Sequence, residues 1–277
     1  MAEQYKLIHP VKFYRDYLNK DIRPDGREFD KLRPIAINVG SIITADGSAV
    51  VKVGNTSVVC GIRAELAKPR SSTPENGFLI PNVELPQMCS PKYRSGAGSN
   101  DDSDVFSSAI NDILINSNCL NLKELCLHKE KLVWALHCDI ICLDNDGCVV
   151  DTALIACVAA LRNLKLPAIE YDHKINKVHV DTSEKKKLNI GPLPVSTTFM
   201  VFDDNVIITD PTAEEESLST SVVNIAICKG DVCFILKPGG TPFGKDQMDT
   251  CIKQALRREK DVLKLLNEVC KDTNGTK

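Results

Sequence analysis

A chain of 277 residues can fill one large domain or two modest ones, and 43% apolar with 26% charged residues is ordinary for a globular protein with a sizeable core. With 34 basic residues against 37 acidic ones, the formal net charge is −3. A dedicated nucleic-acid binder is usually basic overall, so any RNA or DNA contact here must be local or shared with partner subunits. A single Trp and 5% aromatic residues also argue against a stacking platform for single strands.

Pro10–Lys20 predicts an opening helix, with Pro10 at its first position and Val11, Tyr14, Tyr17 and Leu18 on one face. Pro24 and Gly26 then break it in a turn. Ile35–Ile37, Ala49–Val53 and Ser57–Ile62 are short, β-branched and bounded by the turn dipeptides Asp46-Gly47 and Gly54-Asn55, which predicts antiparallel strands and hairpins. Phe78–Val83 is a further strand candidate, and Leu85–Asn100 reads as irregular. Asp104 is the expected cap of a helix striped by Val105, Phe106, Ala109, Ile110, Ile113 and Leu114. Lys131–Leu143 has strand character, with His137 expected to be a satisfied core histidine. Asp151–Leu164, apolar all round, predicts a core helix capped by Asp151.

Glu170–Leu188 turns polar and ends in Lys185-Lys186-Lys187, a solvated turn by composition. It marks the expected seam between an N-terminal domain, 1–188, and a C-terminal domain, 189–277. In the second half, hairpins are expected at Asp203-Asp204 and Lys229-Gly230-Asp231, followed by a last helix capped by Asp246. Hairpins followed by helices in each half give an α+β fold.

The twelve cysteines do not suggest a metal site. Cys60, Cys138, Cys142 and Cys157 lie in apolar runs, where a free thiol behaves as a small hydrophobe. Neither Cys138/Cys142 nor Cys228/Cys233 has a matching second half at zinc spacing. The opening residues lack the apolar core of a secretory signal, and no run approaches the roughly eighteen apolar residues of a membrane span, so reduced thiols in the cytosol or nucleus are expected.

The stretch Thr209–Val223 stands out, with Asp210, Glu214, Glu215 and Glu216 packed between two apolar strands. Taken alone, the three consecutive Glu residues are more often a solvated loop than a site. Arg23 and Arg27 are expected to hold their turn by pairing with nearby carboxylates.

The order and spacing of several short motifs carry a resemblance. Arg23-Pro24-Asp25-Gly26-Arg27, Ala45–Ala49, Gly54-Asn55-Thr56, Asp144–Gly147 ahead of the apolar helix, and the Asp210–Glu216 loop together resemble the RNase PH family over nearly the whole chain. Within it, the sequence resembles the RNase PH-like ring subunits of the eukaryotic RNA exosome. The resemblance implies an RNase PH-like fold of mixed sheets and helices in two related halves, the first like ribosomal protein S5 domain 2. It also implies a hetero-hexameric ring of related subunits, cap subunits with S1 or KH modules, an associated hydrolytic nuclease, and RNA passing through the pore. Location in nucleus, nucleolus and cytoplasm follows as an expectation.

Active members of that family carry Gly-Thr-Arg before the central helix, where phosphate is held, and acidic residues at two positions for proton transfer and metal or water anchoring. The matching stretch here is Gly147-Cys148-Val149-Val150-Asp151, without an Arg. Glu216 keeps the first acidic position, Val222 replaces the second, and Asp151 places a carboxylate where the anion should sit. Glu216, Val222, Val150 and Asp151 therefore read as a degenerate site, with no catalytic residue, no cofactor and no metal. Lys92 and Arg94 fall in the segment resembling the family's RNA-facing loop and are candidates for phosphate-backbone contact. The expected function is non-catalytic, supporting RNA processing and degradation through ring assembly. A phosphate-dependent 3′-exoribonuclease is the alternative.

Overall fold

The computed structural model describes residues 2–93, 99–172 and 177–272. Its organising element is α4 (Val149–Asn163), in which every residue from Val149 to Leu161 is buried. A helix with no polar face must be enclosed on all sides. Here β2 (Gly47–Val53), β3 (Thr56–Ala67) and β6 (Leu132–Asp144) provide one wall. Alternate residues of these strands, among them Ala49, Val51, Val58, Cys60, Cys138, Ile140 and Cys142, turn inward and pack with α4 in one core. Fully burying a Val or Leu side chain contributes about 2 kcal/mol of transfer energy, so this layer is a large part of the fold's stability. The thiols in the apolar runs thus serve as core hydrophobes, with Cys60, Cys138, Cys142 and Cys157 at 0% exposure.

The first sheet runs β1 (Ile35–Val39), β2, β3, β6, β4 (Phe78–Glu84), with the short β5 (Cys126–His128) also on β6. The Gly54-Asn55 hairpin forms as expected between β2 and β3. β4 pairs with β6 in parallel, which the hairpin pattern did not foreshadow. A second, antiparallel sheet runs β10 (Val206–Thr209), β9 (Val195–Phe202), β11 (Ser221–Cys228), β12 (Asp231–Leu236). The last helix, α6 (Lys245–Asp272), covers it through Cys251 and Ala255 and then reaches the α4 core with Val262 and Leu266. Two helices, α1 (Ala2–Ile8) and α2 (Pro10–Leu18), open the chain, and α2 buries Tyr14 and Leu18 against Met200, Phe202 and Ile208.

Several expectations change. α3 (Ser99–Asn116) begins five residues before Asp104, so Asp104 is not its cap. The polar seam is a two-stranded antiparallel sheet, β7 (Lys165–Asp172) with β8 (Lys177–Lys187). Lys185–Lys187 are exposed on a strand and not in a turn. His137 lies on the outward face of β6, its ring 37% exposed and 3.9 Å from Glu65, because strand alternation places it opposite the core residues Leu136 and Cys138. Asp246 is the second residue of α6 and not its cap.

The turn entering α4 is closely packed. Gly147 has φ +84°, and a Cβ there would sit 2.5 Å from the Pro211 carbonyl oxygen and 2.7 Å from the Thr212 carbonyl carbon. Both the backbone conformation and the space require glycine. Gly147→Ala is expected to destabilise the protein by about 2 kcal/mol or more in urea denaturation.

Candidate functional site

The carboxylate-rich stretch is not a solvated loop. Residues Ala213–Leu218 form a short helix, α5, and Thr212 caps it in a reciprocal capping box with Glu215. The Thr212 N–H donates to Glu215 Oε2 at 2.8 Å, and Glu215 is 1% exposed. Such burial is tolerated because Arg23, itself fully buried, donates from Nε to Glu215 Oε1 at 3.0 Å and from Nη2 to Oε2. Arg23 also donates to the carbonyl oxygens of Thr209 and Asp210. It therefore fastens the N-terminal turn to the second sheet; the nearby Asp25 is instead the partner of Arg27.

Asp210 is buried beside that pair, with Arg33 wrapped around its carboxylate. The Arg33 backbone N–H and Nε both donate to Oδ2 (2.7 and 3.1 Å), and Nη2 donates to Oδ1 at 2.8 Å. Burial would raise the Asp210 carboxyl, but the Arg33 bonds and the charges of Arg258 and Arg33 outweigh it and hold the group well below the usual carboxylate range. The other end of Arg33 donates to the carbonyl oxygens of Asp146 (2.7 Å) and Gly147 (3.3 Å), fixing the turn into α4. Its methylene stem packs where a Cβ on Gly54 would clash. Sequence reasoning missed Arg33, which sits in an unremarked Lys-Leu-Arg-Pro segment.

The N-terminus of α4 corrects one expectation and sharpens another. Asp151 does not cap the helix. The cap position is Cys148, in a left-handed conformation (φ 54°, ψ 43°) with no side-chain cap, and Asp151 is the third helical residue. Its carboxylate is fully buried and accepts from Ser196 Oγ (2.7 Å), the Thr198 N–H (2.8 Å), Asn224 Nδ2 (2.8 Å) and Arg258 Nη1 (3.3 Å). Asp151 ties α4 to β9, β11 and α6. The carboxylate in front of the helix is that of Glu216, which accepts the Cys148 N–H at 2.8 Å. One of the chain's own carboxylates thus lies at the entrance to this helix.

Glu216 opens onto a cleft of about 580 Å³ whose lining includes Lys92, Tyr93, Val150, Val222 and Asn224. The fold accordingly brings together Glu216, Val222, Val150 and Lys92, with Asp151 beneath; Arg94 lies outside the described residues. Lys92 is exposed, reaches Asp102 at 2.6 Å and lies over the Tyr93 ring, 5.2 Å from its centroid. Burial pushes the Glu216 carboxyl up to about 7, and the nearby Asp151 charge adds to the rise, partly offset by the Cys148 N–H, Arg33 and Lys92.

Comparison with known proteins places this geometry. Residues 31–167 match the profile of the 3′ exoribonuclease family, domain 1, and residues 193–258 match its domain 2. The chain belongs to the RNase PH family of 3′ exoribonucleases. Among RNase PH-family proteins, it is 37% identical over 252 residues to the exosome complex component rrp43 of Schizosaccharomyces pombe, covering 91% of this chain and 93% of that protein. Phe202–Asp204, Thr209–Thr212 and Lys237–Gly240 resemble that same subunit type, exosome component 8 or ribosomal RNA-processing protein 43. It is 31% identical over 267 residues to the Rrp42 component of Pyrococcus furiosus, covering 95% of each. Among solved structures, an Archaeoglobus fulgidus exosome with RNA bound to the active site superimposes with a TM-score of 0.81 at 28% identity, covering 92% of this chain and 96% of that one. An archaeal exosome core matches with a TM-score of 0.81 at 27% identity, covering 96% of this chain and 100% of that one.

Two outcomes follow from this RNase PH-family site. Arg33→Met leaves Asp210 buried without its main partner and is expected to cost about 3–5 kcal/mol in chemical denaturation. Glu216 has a folded pKa above its unfolded value, so its neutral form suits the fold, and ionisation subtracts stability as pH rises from about 4.5 through about 7. Glu216→Gln should therefore gain stability relative to wild type between pH 5 and pH 8, by ~1–3 kcal/mol in paired urea titrations. A difference independent of pH would contradict the assignment.

Proposed function

We propose that this chain is a non-catalytic subunit of the RNA exosome core ring, supporting 3′-to-5′ RNA processing and degradation through assembly and RNA channelling. The similarity to exosome components along nearly the full length of both proteins supports the ring assignment. Exposed apolar residues on edge strands add to it, with Val232 and Ile235 on β12 and Ile80 on β4 offering surface for neighbouring subunits. The partners of this reading are the other RNase PH-like subunits, caps with S1 or KH modules, a hydrolytic nuclease and RNA in transit. Nucleus, nucleolus and cytoplasm are its proposed locations.

The observation that carries the non-catalytic reading is Val222, an apolar side chain lining the cleft where the family pattern carries its second acid. Phosphorolysis also requires a cation to hold inorganic phosphate at this helix end, and Gly147–Asp151 supplies no Arg. At the second acidic position of the family pattern a metal would find no ligand. Val222 offers none, and Asp151 is saturated by Ser196, Thr198, Asn224 and Arg258. Among the described residues no cluster of His, Cys, Asp or Glu is arranged to bind a metal ion. The residues therefore do not fit the metal of the active relatives, and no step is assigned to one.

One observation favours the alternative of a phosphate-dependent 3′-exoribonuclease. A Glu216 carboxyl titrating near 7 in a cleft is suited to proton donation. A proton donor with no place for the attacking phosphate does not complete the reaction. The purified chain is expected to release no nucleoside diphosphates from RNA in inorganic phosphate, and to retain RNase PH-like subunits when purified at high salt. Diphosphate release lost in Glu216→Ala would overturn the non-catalytic reading.

A further inference from the structure

The cleft beside α5 holds acceptors that none of the described residues satisfies. Cys148 engages Glu216 through Oε1, and Oε2 has no hydrogen-bond partner among the described residues. Asn224, 6% exposed, lines the same cleft. Its Nδ2 donates to Asp151 Oδ1 (2.8 Å) and Thr198 Oγ1 (2.9 Å), and its Oδ1 is buried without a partner. A buried acceptor left without a donor is unfavourable, and a ligand carrying donors would relieve it. The one cation on the rim named above, Lys92, is already engaged by Asp102. Around these acceptors the wall is apolar, formed by Val149, Val150, Val222 and Leu236.

The chemistry of an occupant follows. It must donate to two acceptors on separate elements, α5 and β11, carry positive charge to complement Glu216, and present an apolar stem to the valines. An anion is disfavoured, which argues against an RNA 3′ end. A lysine ammonium is a compact, strongly hydrated point charge. A guanidinium is a planar fork of donors with weaker hydration, on a stem that packs against aliphatic surface. We propose that this cleft docks an arginine side chain of a partner protein, its guanidinium donating to Glu216 and Asn224 and its methylenes lying on Val150 and Val222. This rests on the reading that the cleft is not an active site, and it converts a lost catalytic pocket into a protein-recognition pocket.

The test uses the full-length chain and small probes followed by NMR of the Cys148 amide and the Asn224 side-chain amide. N-acetyl-argininamide is expected to bind saturably in the millimolar range. Its neutral isostere N-acetyl-citrullinamide should bind at least 10-fold more weakly. Glu216→Gln should weaken argininamide binding at least 10-fold, and Val222→Trp, which adds bulk to the cleft wall, should abolish it. Equal binding of the two probes, no binding of argininamide, or binding of adenosine monophosphate in its place would overturn the proposal. Failure of argininamide alone, in a chain that still joins ring subunits and lacks phosphorolysis, would remove this inference and leave the functional reading standing.

Discussion

Buried charge is the constraint on which the rest of this structure depends. Arg23, Arg33 and Arg258 lie in the interior against Glu215, Asp210 and Asp151. A buried charge is tolerable only when paired and hydrogen-bonded, so each pair demands that two distant parts of the chain be correctly placed together. Arg23 and Glu215 are 192 positions apart, Arg33 and Asp210 are 177 apart, and Asp151 and Arg258 are 107 apart. Apolar packing of α4 supplies the bulk of the stability. The ionic pairs specify how the N-terminal turn, the α4 entrance, the second sheet and the last helix meet.

That network also explains why a carboxylate-rich segment carries so little reactive chemistry. Of its acids, Asp210 and Glu215 are held by arginines, and Glu214 faces Tyr14 and Lys6 at the surface. Glu216 alone reaches the cleft, where it accepts the Cys148 N–H at the entrance to α4. The same residues thus hold the scaffold together. A cleft remains, with apolar walls and unmatched acceptors, suited to recognising a donor-bearing side chain.

Much of this was legible in the sequence and some was not, for physical reasons. The short β-branched runs Ala49–Val53 and Ser57–Ile62 between turn dipeptides, and the unbroken apolar run of the central helix, are local signals, so strands, hairpins and core helix could be read locally. The parallel pairing of β4 with β6 could not, since it depends on a connection of some fifty residues and not on a turn. The positions gathered in the cleft, Glu216, Val222, Val150 and Lys92, came from the family pattern. The role of Asp151 was misread because an acid in a first helical turn looks like a cap, while its true partners are on β9, β11 and α6. Arg33 carried no local signal at all; only a partner 177 residues away gives it meaning.

The central proposal is that the entrance to α4, where Gly147–Asp151 lacks an Arg and Glu216 accepts the Cys148 N–H, does not hold phosphate. The most direct measurement is a titration of the full-length chain with inorganic phosphate, following the backbone amides of Cys148, Val149 and Val150 by NMR at constant ionic strength. The account predicts no saturable shift at these amides up to tens of millimolar phosphate. A saturable, low-millimolar response centred on Cys148 would contradict it.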